Sequence, residues 1–80
     1  MIEITFKERD FGFTYVRSIS NPRSMIVNEI KSDVLSERFG LVPCSKIIQI
    51  GNESVSHWDY GLTEQKLRGC ILPVTIYFRK

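Results

Sequence analysis

Alanine is absent from this chain. A polypeptide without its best helix former, yet rich in Ile, Val, Phe and Tyr, leans toward sheet. Long apolar runs are missing too: none approaches the roughly 18 residues of a membrane-crossing helix. Histidine is scarce. His57 is the only one, and no cysteine stands near it at ligand spacing, which argues against a structural zinc site. The two cysteines, Cys44 and Cys70, form no Cys-x-x-Cys pair and read as free thiols of a reducing compartment. Neither sign of charge dominates. Eleven Lys and Arg face nine Asp and Glu, a net charge of +2, and the aromatics are not interleaved with a basic stripe. Nucleic acid is therefore not an expected partner. No nucleophile-elbow sequence is present, and a domain this small has little room for a deep catalytic cleft around His57. The expectation is a non-enzyme, with no catalytic residue, metal, cofactor or small-molecule substrate.

What is present suits one folded domain. The hydrophobic fraction of 42% and charged fraction of 25% are ordinary for a globular chain, and 80 residues hold one core. The start, Met1-Ile2-Glu3-Ile4, alternates and so lacks the basic-then-apolar order of a signal peptide.

Ile2, Ile4 and Phe6 alternate with polar residues and predict a half-buried strand. Lys7-Glu8-Arg9-Asp10 reads as a solvated loop of mixed charge. Phe11, Phe13 and Tyr15 then alternate with Gly12, Thr14 and Val16, a second strand with an aromatic face. Ser20-Asn21-Pro22-Arg23-Ser24 carries turn chemistry and predicts a hairpin into a third strand, Met25–Ile30. Ser32 is placed to cap a short helix, Asp33–Phe39, with Val34, Leu35 and Phe39 as its buried side and Gly40 as its stop. Lys46–Ile50 is a fourth strand, turned by Gly51-Asn52 into a short return at Ser54-Val55. Asp59 caps a second helix to about Arg68, stopped by Gly69, with a thin apolar stripe at Leu62 and Leu67. Trp58 precedes it, as a staple on the core or as an exposed contact. Pro73–Phe78 alternates as a last strand. The order is β-β-β-α-β-β-α-β.

With this order, residues 2 to 79 resemble a PDZ domain. The family's carboxylate-binding loop reads Gly-Φ-Gly-Φ after a basic residue, where Φ is apolar. Here the matching residues are Asp10-Phe11-Gly12-Phe13, with Lys7 and Arg9 before them. Met25-Ile26-Val27-Asn28-Glu29-Ile30 matches the family's third strand, and Ser36 and Gly40-Leu41 match its short helix and the Gly-Leu after it. Lys46-Ile47-Ile48-Gln49-Ile50-Gly51-Asn52 is similar to its fourth strand and turn. Val55 stands before Arg68 at the family's usual spacing. The resemblance implies an α+β, mostly β fold: a five- to six-stranded antiparallel, partly opened barrel or sandwich with two helices. It also implies one domain over residues 1–80, cut from a longer cytoplasmic, submembranous or cytoskeletal protein that meets membranes only through partners.

The resemblance further implies a scaffold module that captures the C-terminus, or an internal strand motif, of a partner protein in signalling assemblies. Phe11, Gly12 and Phe13, aided by Lys7 and Arg9, would hold the peptide carboxylate through converging backbone N–H groups. Tyr15, Tyr60, Glu64 and Leu67 would line the groove, and Thr14 and Val16 would contribute backbone pairing, where the peptide adds as a strand between the second strand and second helix. The alternative reading of the second strand's aromatics is that they are core alone. Three departures bear on the site. Asp10 replaces the loop's first Gly and sets a negative charge beside an incoming carboxylate. Tyr60 replaces the His that selects Ser or Thr in the ligand, and His57 lies three residues early. Glu64 stands at an apolar groove position, as a solvated helix residue or as a partner for a basic or hydroxyl side chain. Asp10 and Glu64 keep an alternative open: a degenerate domain that binds no C-terminus and acts in self-association or intramolecular assembly.

Overall fold

The computed structural model describes residues 1–80. The elements are β1 (Ile2–Phe6), β2 (Phe13–Arg17), β3 (Met25–Ile30), α1 (Asp33–Glu37), β4 (Lys46–Ile50), β5 (Glu53–Ser54), α2 (Tyr60–Gly69) and β6 (Val74–Arg79). The six strands form one antiparallel sheet in the order β1-β6-β4-β3-β2, with β5 paired to β4. The chain is thus a small α+β domain, mostly sheet, with two helices. No helix is long and apolar enough to cross a membrane.

Alternation sets the register. β1 pairs with β6 so that Ile4 faces Ile76 and Phe6 faces Val74, which puts the apolar residues of both strands on one side. Those four, with Phe78, Ile47, Val27 and Met25, are buried. The sheet curls until its two edges meet: the ring of Phe6 on β1 lies 5.9 Å from that of Phe13 on β2, and Phe78 touches Phe13 edge-on at 5.7 Å. Leu35 and Leu41, with Leu67 of α2, complete the same buried cluster. Three buried hydroxyl residues keep their hydrogen bonds inside. Ser45 donates to Val42 O at 2.7 Å, Thr63 donates to Asp59 O at 2.9 Å, and the backbone of Ser24 closes the β2–β3 hairpin.

Several boundaries differ from the pattern reading. β2 starts at Phe13 because Gly12 has a φ of +80°, outside the strand region. α1 stops at Glu37, and Gly40, at φ +73°, turns the chain three residues later. Phe39 therefore lies beyond the helix; within α1 Val34 is exposed and only Leu35 is buried. Ser32 occupies the cap position but its side chain makes no capping bond. The return strand is Glu53–Ser54, so Val55 falls just outside it, and Gly69 closes α2 from within. Cys44 carries a φ of 74°, a left-handed turn taken by a non-glycine residue ahead of β4. Cys44 and Cys70 are both free thiols.

Candidate functional site

Two elements frame the site. β2 ends the sheet, so one of its edges lacks a strand partner. Across from it stands α2, whose start is fixed by the Asp59 carboxylate accepting the Leu62 N–H at 2.8 Å. Tyr60, Glu64 and Arg68 then recur every fourth residue and share a face. Between α2 and β2 lies a cavity of about 370 Å³ walled by Phe11, Phe13, Tyr15 and Leu67 and rimmed by Arg9, Asp10 and Arg68.

The loop before β2 is built around Gly12. Its carbonyl accepts from Lys31 N at 2.8 Å and Ser32 N at 3.2 Å, which ties the loop to the β3–α1 junction. A Cβ at this position would lie 2.9 Å from the Ser32 Cβ, so both the left-handed backbone and the close approach require glycine. The Gly12 N–H points to the Asp10 carboxylate, 3.2 Å away. Asp10 is therefore an internal acceptor for one of the amides expected to meet a ligand carboxylate.

Arg9 reaches from the loop to the end of α2. Its guanidinium donates to the Arg68 carbonyl at 3.0 Å and lies 3.6 Å from the Cys70 sulfur. Lys7 is not brought to the cavity. It follows the end of β1 and lines a separate depression between β1 and α1.

Further along the groove, the Tyr15 hydroxyl donates to Glu64 Oε2 at 3.3 Å, a direct link from β2 to α2. Arg68 Nη2 sits 3.5 Å from the same oxygen. The Tyr15 hydroxyl, and after it the Glu64 carboxylate, favour the charged Arg68 guanidinium and push its pKa further up. The Tyr60 ring lies 6.5 Å from the Tyr15 ring, and the Arg17 guanidinium sits 5.0 Å from the centre of the Tyr60 ring. Partial burial first, and Glu64 next, push the Tyr60 phenol above its ordinary value of 10.0.

The expected site residues thus divide. Phe11, Gly12, Phe13, Tyr15, Tyr60, Glu64, Leu67 and Arg9 meet around one cleft. Phe13 and Leu67 are buried, so they act as its floor and as core at once. Thr14 turns to β3: its hydroxyl accepts the Glu29 N–H at 3.1 Å beside the irregularity between Phe13 and Tyr15. Val16 is exposed and does not line the cavity. Trp58 is half-buried against the core, with the Lys66 ammonium 5.6 Å from its ring centre. Arg68 and Arg17 were missed by the pattern reading. Their signal was spacing: Arg68 follows Glu64 by one helical turn, and Arg17 shares a strand face with Tyr15. No three His, Cys, Asp or Glu side chains converge as metal ligands.

Comparison with known proteins returns no matching family model, no matching curated protein and no matching solved structure.

Proposed function

We propose that the chain is a non-catalytic, PDZ-like peptide-binding module that takes an extended segment of a partner protein as an added strand on β2, facing α2. The observation that carries this reading is the unpartnered edge of β2 beside an apolar-floored cavity. An added strand gains main-chain hydrogen bonds along such an edge, and the cavity offers a socket for one apolar side chain. The affinity that suits so short a contact is on the order of micromolar, because ordering the peptide offsets much of the gain.

The ligand's end is the open point within this reading. A free C-terminal carboxylate approaching the loop meets Asp10 on the Gly12 amide and must displace it or share the loop with it. An internal segment brings no such charge. Arg9 and Arg68 stand at the rim as the cations a ligand carboxylate would use. A second reading, a groove closed for assembly or self-association, is favoured by the Tyr15–Glu64 and Arg9–Arg68 bonds that span the cleft.

A peptide array of free C-termini, their amidated copies and internal sequences separates these readings. Hits that survive amidation identify internal-segment binding, hits lost on amidation identify carboxylate capture, and a blank array identifies the closed groove. Tyr15→Phe with Arg9→Gln removes both side-chain bonds across the cleft. Under the closed reading, that variant gains hits the parent lacks.

A further inference from the structure

We infer a second binding site, for a phosphorylated polyol, on the outer face of the sheet and independent of the peptide groove. A cavity of about 510 Å³ opens there between the β2–β3 turn, β4, β6 and the segment after β5. Three cations line it: Arg23 from the turn, Lys46 from the start of β4 and Arg79 from the end of β6. No Asp or Glu lines it. This is the more pointed because the chain has nine carboxylate residues for its eleven cations. The molecule's two ion pairs, Lys66–Glu53 and Arg68–Glu64, involve none of the three.

The sheet register sharpens the point. Lys46 and Arg79 are direct partners across the β4–β6 pair. Directly opposed residues of an antiparallel pair share a face with Cβ atoms roughly 5 Å apart, where like charges oppose the pairing. A fold that needed only solubility there would be served by one charge of each sign. Two cations set opposite each other, with a third from a separate segment and no carboxylate among them, form a locus for a polyvalent anion.

The rest of the wall fits a phosphate carried on a hydroxylated ring. Ser54 and Ser56 supply hydroxyls and Trp58 a half-buried aromatic surface. The cavity exceeds the needs of one inorganic phosphate and lies in the range of small-ligand sites. Arg and Lys are the usual partners of phosphate oxygens, Arg in bidentate fashion. A soluble sugar or inositol phosphate and a phospholipid headgroup share this chemistry. Ile19, almost fully exposed, lies in the same β2–β3 connection as Arg23 and offers an apolar side chain to a lipid surface.

Calorimetric titration with soluble inositol trisphosphate tests the site. Saturable one-to-one binding is expected, weakened at least tenfold in Lys46→Gln/Arg79→Gln and unaltered in Arg68→Gln, a groove-rim control. Flotation with neutral vesicles, vesicles containing phosphatidylserine and vesicles containing phosphatidylinositol bisphosphate at matched charge then identifies the source. Preference for the bisphosphate vesicles, reduced by Ile19→Ser, marks a headgroup; binding of the soluble compound alone marks a free metabolite. Equal binding to both anionic vesicles, no effect of the double substitution, or affinity for a phosphoserine peptide but not the polyol overturns the proposal. Thermal unfolding provides a ligand-free check. Relief of like-charge repulsion predicts that Lys46→Gln is no less stable than the parent and that its Tm depends less on salt. A clear loss of stability, or an unchanged salt dependence, contradicts the unpaired-cation premise.

Discussion

Asp10 is the residue on which the character of the groove turns. Its carboxylate accepts the Gly12 N–H, so the loop carries its own anion where a ligand's would sit. Asp10→Gly removes that competitor and a like charge. Binding of a peptide with a free apolar C-terminus is expected to tighten severalfold, more at low salt, as calorimetry at two ionic strengths would read. Gly12 itself tolerates no side chain. Gly12→Ala combines a φ of +80° with a 2.9 Å approach to Ser32, and should cost about 1–3 kcal/mol in denaturant unfolding. Tyr60 gives a pH signature. Its pKa is raised in the folded state, so that state holds the phenolic proton after the unfolded chain has released it. The resulting stability is complete below pH 10.0 and is lost as pH rises through the folded value. Thermal unfolding across that range should show a steeper decline for the parent than for Tyr60→Phe.

At the scale of elements, α2 is held to β2 and to the loop before it by side chains at two levels: Tyr15 to Glu64 and Arg9 to the Arg68 carbonyl. Leu67 between them is 1% exposed and belongs to the core. Leu67→Ala is expected to lower stability by about 2–5 kcal/mol. A loss of peptide binding in that variant would therefore speak of folding, which makes the exposed groove residues the better probes. Tyr15→Phe keeps the ring and removes the hydroxyl that meets Glu64 and Arg68; faster amide exchange in α2, with the fold intact, is the expected result. Most elements were legible in the sequence because their signals were local: strict alternation in Ile2–Phe6 and Val74–Arg79, and Asp59 as a helix cap. The start of β2 was not, because period 2 at Phe11, Phe13 and Tyr15 gives no hint that the Gly12 backbone turns left-handed. The extent of α1 was overread because Phe39 continues the helical apolar spacing past the point where the chain leaves the helix.

The whole molecule is a sheet curled until the rings of Phe6 and Phe13 meet across its two edges. That curl gives the domain a core of thirteen buried apolar residues despite its length, and it sets β2 opposite α2. The membership of the groove was legible in part. Tyr15 and Leu67 were placed there by period and Tyr60 and Glu64 by the family resemblance, whereas the bonds across the groove depend on side-chain reach, which spacing does not specify. The fold also sets two independent surfaces on one small body: a cleft whose rim carries Arg9 and Arg68 against Asp10, with Glu64 bonded across it, and an outer-face cavity lined by three cations and no carboxylate.

The central claim is that a partner segment pairs with the free edge of β2. Mapping amide chemical shifts of labelled protein during titration with an array-selected peptide tests it most directly. Addition as a strand predicts shifts and slowed exchange along Phe13–Arg17, with accompanying shifts over Glu64–Arg68 on α2. Shifts confined to the other sheet edge at Ile2–Phe6, or to the Arg23, Lys46 and Arg79 face, with β2 amides unchanged at saturation, would contradict it.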